Sequence, residues 1–149
     1  DTSIKELRRV AHNMMPEALS KFGLKAALND FCSSIGNAKR FDLNYNYYGS
    51  DKRLNSKLEI SFYRIAQELI NNALKHANAS ELMIHVVQED NRIHLTVQDN
   101  GAGFDVNTLS TSKGAGIAGI KSRVEALNGR FELISVPGKG TEASVEFLF

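Results

Sequence analysis

The sequence contains a single cysteine, Cys32, so no intrachain disulfide can form and a zinc site would have to draw on scattered histidines. A lone cysteine in an apolar helical stretch reads as a small buried hydrophobe. Charge of one sign is equally scarce. Eighteen Lys and Arg against seventeen Asp and Glu leave a net charge of +1, which offers neither a polyanion-binding footprint nor an acidic tail and argues against a dedicated nucleic-acid binder. There is no long apolar run, no signal peptide and no internal repeat. This stretch is therefore expected neither to cross a membrane nor to carry its own export signal. What is present is the balance of an ordinary globular domain, 42% hydrophobic and 23% charged. At this length a single domain buries roughly 68–70% of its unfolded surface and needs no staple. The chain opens inside a helical pattern at Asp1-Thr2-Ser3-Ile4, as a piece of something longer would.

Ile4, Leu7, Val10, Ala11 and Met14 recur at helical spacing behind Thr2 or Ser3 as caps, and Pro16 breaks or kinks that helix. A second helix is expected over about 24–35, ending near Gly36-Asn37. Leu43, Tyr45 and Tyr47 alternate with polar neighbours as a half-buried strand does, closed by Gly49-Ser50-Asp51. The strongest helical pattern runs over about 56–77, with Leu58, Phe62, Ile65, Leu69 and Ala73 on one stripe. Strands over 81–88 and 92–98 form a hairpin through Glu89-Asp90-Asn91. The Gly-, Ser- and Thr-rich stretch 99–119 is expected to be a loop, followed by a short helix over 117–127 that stops at Asn128-Gly129. A second hairpin, 130–136 and 141–149, turns at Pro137-Gly138-Lys139-Gly140. Helices first and then strands broken by helices give an α+β fold. The expected architecture is a two-layer α/β sandwich, a mixed sheet with helices on one face and its polar face partly exposed.

Three segments carry chemistry. Glu68, Asn72, Lys75 and His76 stand at i, i+4, i+7 and i+8 on the long helix and project from one face. Alone, such a face is as readily a solvated one. Asp99-Asn100-Gly101-Ala102-Gly103-Phe104 puts a carboxylate at a strand end beside spaced glycines. That is either a simple turn or a buried acceptor for a ligand amine beside backbone that can approach a flat ring. Gly114-Ala115-Gly116-Ile117-Ala118-Gly119-Ile120 leads into a helix, whose free N–H groups suit phosphates. Its GxGxxG spacing matches the dinucleotide fingerprint, but a long polar loop and hairpins surround it instead of a βαβ unit. No GxxxxGK[ST] phosphate loop occurs.

In this order the segments resemble the N, G1 and G2 boxes of histidine kinases: Glu68 to Ala77, Asp99 to Asp105, and Gly114 to Gly119. Gly138-Lys139-Gly140-Thr141 resembles the GxGT segment that closes the same domain. The chain is thereby identified as a member of the GHKL ATPase superfamily, with the Bergerat fold. Residues 8–28 are similar to the helix-to-domain junction of the nitrate-sensor and thermosensor type of sensor kinase. The resemblance implies an end of a dimerisation helix and junction over 1–22, and an ATP-binding catalytic domain over 23–149. It also implies that Asp99 accepts from the adenine amine, with Thr141 and a water completing the purine contact. Gly101 and Gly103 would allow close packing around the base. Asn72 would bind Mg²⁺ bridging the triphosphate, and Glu68 would act as general base or orient the nucleophile. Lys75 would offset phosphate charge and His76 pack near the nucleotide. Residues 104–116 would form a lid, with Lys113, Gly114, Gly116, Ile117 and Gly119 at the nucleotide.

The implied cofactors are ATP and Mg²⁺. The implied partners are the histidine-bearing dimerisation domain of the same kinase, as a homodimer, and a response regulator, in a cytoplasmic setting. His12 is followed by Asn13 rather than an acidic residue and is taken as an ordinary junction residue, so that the phosphoacceptor lies elsewhere. His85 and His94 are taken as sheet positions rather than ligands. Two alternatives share the nucleotide site: an anti-sigma-factor-like serine kinase, and a non-catalytic regulatory module.

Overall fold

The computed structural model describes residues 17–37, 42–76, 79–103, 105 and 112–149. The helix expected over 4–14, its caps, the Pro16 break and His12 lie outside the described residues, as does most of the lid segment. The elements are α1 (Glu17–Phe22), α2 (Leu24–Asn37), β1 (Asp42–Gly49), α3 (Ser56–His76), β2 (Glu81–Gln88), β3 (Arg92–Asp99), α4 (Ser112–Ala126), β4 (Arg130–Val136) and β5 (Gly140–Leu148). Only α1 has no counterpart in the sequence reading; six residues are too few to show a period.

The strands form one sheet in the order β1-β2-β3-β5-β4. β1 and β2 run parallel, and the other three pairings are antiparallel. A parallel pair needs a long crossover, which α3 supplies. Strict alternation buries Leu82, Ile84 and Val86 of β2 and Ile93, Leu95 and Val97 of β3, and the register places these side chains on one face with Val145 and Phe147 of β5. The stripe of α3 meets that face through Phe62, Ile65, Ala66, Leu69 and Ile70, all buried. Phe62 meets Phe147 edge-on at 6.2 Å. Cys32 lies in the same core, where burial pushes its thiol up to about 12; it behaves as the small hydrophobe expected. The opposite face stays half-exposed. There His85 packs edge-on against Tyr48 and His94 stands opposite Glu146, ordinary sheet positions. The fold is the α+β arrangement expected, a mixed sheet with helices on one face.

One boundary is corrected. The loop expected to run to Gly119 gives way at Ser112 to α4. Ile117, Ile120 and Val124 are buried on one stripe, and once that stripe docks, extending the helix backwards costs little per residue. Gly114, Gly116 and Gly119 therefore lie inside the helix. Its end is as expected: Asn128 takes the left-handed conformation at φ 61°, and Gly129 N–H reaches back to Val124 O at 2.9 Å.

A polar clasp joins α1 to the start of α3. Arg53 donates Nε and Nη2 to the Glu59 carboxylate at 3.0 and 2.9 Å, and Nη2 also reaches the Leu19 and Ser20 carbonyls at 3.3 Å. Leu54 N–H adds a third donor to Glu59. The hydrogen bond to Glu59 holds the Arg53 guanidinium above its ordinary range. Glu59 is buried and tolerable there because its oxygens are filled.

Candidate functional site

The last register positions of the sheet build a polar notch. Asp99, Thr141 and Ser135 fall in one cross-strand row, through Asp99↔Thr141 and Ser135↔Thr141, on the helix-covered face. Asp99 is 7% exposed. Burial raises its pKa, opposed by the main-chain groups of Gly101 and Thr141; the Gly101 N–H donates to Oδ1 at 2.9 Å. Next to it, Asn100 Oδ1 accepts from Ser80 and Glu81 N–H at 3.0 and 2.9 Å, which anchors the end of β3 to the start of β2. Ser135 Oγ and Thr141 Oγ1 are 2.7 Å apart.

Two glycines let the loop after β3 lie on the β4–β5 turn. Gly103 sits at φ +65°, and a Cβ there would stand 2.2 Å from Val136 O; at Gly140, φ +108°, it would stand 2.2 Å from Asp99 O. Gly138 N–H closes the contact on Ala102 O at 2.6 Å. The requirement for glycine at 103 thus arises from the protein's own hairpin, before any ligand is considered.

The second half of the site is the polar face of α3. Glu68 and Asn72 are half-buried and Lys75 is exposed; the side chains of His76 and Lys113 lie outside the described set. Arg123 of α4 forms an ion pair with Glu68. A Cβ on Gly116 would lie 3.9 Å from Asn72 Nδ2. Glu68 with Arg123 and Asn72 with Gly116 pair off in opposite chain order, so α4 runs antiparallel along this face. The cation beside Glu68 is therefore Arg123 rather than Lys75, which stands two turns further on.

Both halves lie at the same end of the sheet. Only four residues separate His76 from Glu81, and Leu82 pairs with Asp99, so the polar C-terminal half of α3 ends beside the row that holds Asp99 and Thr141. Asp99, Gly101, Gly103, Thr141, Glu68, Asn72, Gly116 and Gly119 are brought to one end of the molecule. The arrangement offers a buried acceptor notch at the sheet and a carboxylate–amide pair on the helix. Among the described residues no group of three or more His, Cys, Asp or Glu side chains is placed to hold a metal ion. Asn72 offers a hard amide oxygen, of the kind that suits Mg²⁺ completing its shell with phosphate oxygens and water. The sequence points to Gly140 only through the GxGT segment, and not to Arg123 or Ser135. Ser135 had a usable signal: a turn closed at 136 and 140 places 135 opposite 141. Arg123 had none, since its partner is 55 residues away.

Residues 57–149 match the family described as histidine kinase-, DNA gyrase B-, and HSP90-like ATPases, and the chain belongs to it. Its particular likenesses are to sensor kinases. It is 33% identical to the sensor histidine kinase ComP of Bacillus subtilis (strain 168) over 144 residues, 96% of this chain and 19% of ComP. It is 34% identical to the nitrate/nitrite sensor protein NarX of Escherichia coli (strain K12) over 130 residues, 87% of this chain and 22% of NarX. The chain therefore spans about a fifth of those relatives' length. In fold it resembles the histidine kinase domain of the Erythrobacter litoralis EL346 blue-light activated histidine kinase, with TM-score 0.69 at 17% identity, covering 83% of this chain and 60% of that one.

Proposed function

We propose that this chain is the part of a two-component sensor histidine kinase that holds Mg-ATP and presents its γ-phosphoryl group to a histidine on a dimerisation domain. The observation that carries this is the row at the sheet end, the buried Asp99 carboxylate with Thr141 beside it, lying at the same end as the Glu68–Asn72 face of α3. Asp99 accepts from the adenine amine, Thr141 completes the purine contact, and Gly101 and Gly103 bring the backbone close to the ring. Asn72 would hold Mg²⁺, which supplies charge neutralisation across the triphosphate. Lys75, His76 and Lys113 contribute at the phosphates and the nucleotide edge, with Gly114, Gly116, Ile117 and Gly119 forming the wall opposite. Glu68 orients the attacking histidine nitrogen or takes its proton as the P–N bond forms, while the bond to the β–γ bridging oxygen breaks and ADP leaves.

In this reading residues 1–22 end a dimerisation helix and its junction, and 23–149 form the catalytic domain. The acceptor histidine lies outside the chain and is not His12. The complete kinase works as a homodimer in the cytoplasm and passes its phosphoryl group to a response regulator. Among the described residues no helix is long and apolar enough to cross a membrane. A purely regulatory nucleotide module has no use for a carboxylate one turn from the metal-binding amide, and similarity to sensor kinases over nearly the whole chain favours them over a serine kinase. The test is Glu68→Gln, assayed with a separately supplied dimerisation domain. Phosphotransfer should fall on the order of 10²-fold or more, with Mg-ATP affinity within about twofold; equal losses in both would remove Glu68 from the chemistry.

A further inference from the structure

Two carboxylates of α3 pair with arginines, and the two pairs are built differently. Glu59 is buried, and Arg53 fills both of its oxygens, Oε2 through Nε and Oε1 through Nη2; that pair is closed. Glu68 meets Arg123 through one oxygen and one guanidinium nitrogen, Oε2 and Nη2. Among the described residues no donor is placed on Glu68 Oε1, and that oxygen keeps its lone pairs. Arg123 is itself braced, since its Nε reaches the Gly119 carbonyl of its own helix at 3.4 Å. One guanidinium therefore joins the glycine turn of α4 to the carboxylate on α3, which suits arginine's fixed fork better than lysine's point charge. The paired side chains are 45% and 44% exposed, so the contact adds little to the stability of the fold.

We infer that Arg123 is a positioning residue for phosphoryl transfer: it holds the Glu68 carboxylate by Oε2, so that Oε1 stays open to the N–H of the attacking imidazole. This rests on the reading that Glu68 serves that histidine. Beside a triphosphate an uncompensated carboxylate is repelled, and a half-exposed glutamate has the rotamer freedom to swing into solvent. The guanidinium supplies both the countercharge and the anchor. It stands about two turns of α4, roughly 10 Å, from Gly116, the residue that faces Asn72. Arg123 thus approaches Glu68 from the side away from the metal-binding amide and acts on the carboxylate rather than on the nucleotide. Oε1 then receives the imidazole proton as the P–N bond forms and the bond to the β–γ bridging oxygen breaks, with ADP leaving.

The experiment measures the maximal rate of transfer to a separately supplied dimerisation domain, and Mg-ATP affinity by calorimetry, for this chain and its variants. Arg123→Gln should lower the rate at least about tenfold, the cost of a misplaced catalytic group. Its Mg-ATP affinity should stay within about twofold and its melting temperature within about two degrees. Arg123→Lys, which restores the charge without the brace, should recover most of the rate. In a Glu68→Gln background Arg123→Gln should cost nothing further, because the carboxylate it positions is gone. Arg123→Met, which keeps the apolar stem, gives the same readout should Arg123→Gln not fold. A native rate in Arg123→Gln, an equal loss in both backgrounds, or a parallel loss of Mg-ATP affinity overturns the role of Arg123 and leaves that of Glu68 standing. Transfer within about twofold of native in Glu68→Gln alone overturns the reading of Glu68, and the inference with it.

Discussion

At Gly103 and Gly140 the backbone occupies the left-handed region, and each Cα faces a carbonyl oxygen that a methyl group would overlap. Gly103→Ala combines backbone strain with that overlap and should cost at least about 2 kcal/mol, read as a lower urea midpoint. The neighbouring carboxylate works in the opposite direction. Asp99 has a raised pKa because burial penalises its charge. The folded chain therefore binds the proton more tightly than the unfolded chain, and stability falls as pH rises through the interval between the unfolded and folded values. Asp99→Asn removes that penalty and keeps an oxygen for the Gly101 N–H. Without nucleotide it should melt a few degrees higher at neutral pH, with a flatter dependence above the ordinary carboxylate range, and should bind ATP far more weakly. A mutant that melts lower and binds normally would assign Asp99 to structure alone. Sequence spacing pointed to Asp99 and Gly103 but could not separate their duties. The glycine's reason lies in Val136, 33 positions away, and appears only once the hairpin is folded.

The element whose reading changed is α4. Three glycines in its first eight residues, Gly114, Gly116 and Gly119, each cost about 1 kcal/mol relative to alanine in a helix, so local propensity pointed to a loop and the buried stripe of Ile117, Ile120 and Val124 outweighed it. The strands were legible because alternation is a local signal. The partner of β1 was not, since nothing in eight residues records which strand lies alongside. The weak first half of α4 has a consequence. Nothing lies within 4 Å of a methyl built on Gly119, so Gly119→Ala should stabilise the chain by roughly 0.5–1 kcal/mol. It should also weaken Mg-ATP binding severalfold, because backbone N–H groups committed to the helix cannot turn toward phosphate. Unchanged affinity in the stabilised variant would take the glycine segment out of the site. At the other end of the helical layer, Arg53 fills the oxygens of the buried Glu59. Arg53→Met should lower the melting temperature by several degrees, since a buried carboxylate is left without its guanidinium. That change should leave Mg-ATP affinity untouched.

Over the whole molecule, the sheet and its helical cover form a domain of the histidine kinase-, DNA gyrase B-, and HSP90-like ATPase family, with the proposed two-part site at one end of the sheet. His85 and His94 lie on the opposite side of the sheet from the Glu68–Asn72 face, and His76 stands one turn beyond Asn72 on α3 itself. The order of the motifs along the chain was legible from residues 68 to 141. Their convergence was not, because it depends on the crossover through α3 and on β5 inserting between β3 and β4. The most direct measurement of the central claim is phosphoryl transfer in trans. Incubating the chain with Mg²⁺ and γ-labelled ATP, alone and with a separate histidine-bearing dimerisation domain from a kinase of this type, should place acid-labile label on the added domain and none on the chain. Label on the isolated chain at His12, or no transfer despite ATP binding, would contradict it.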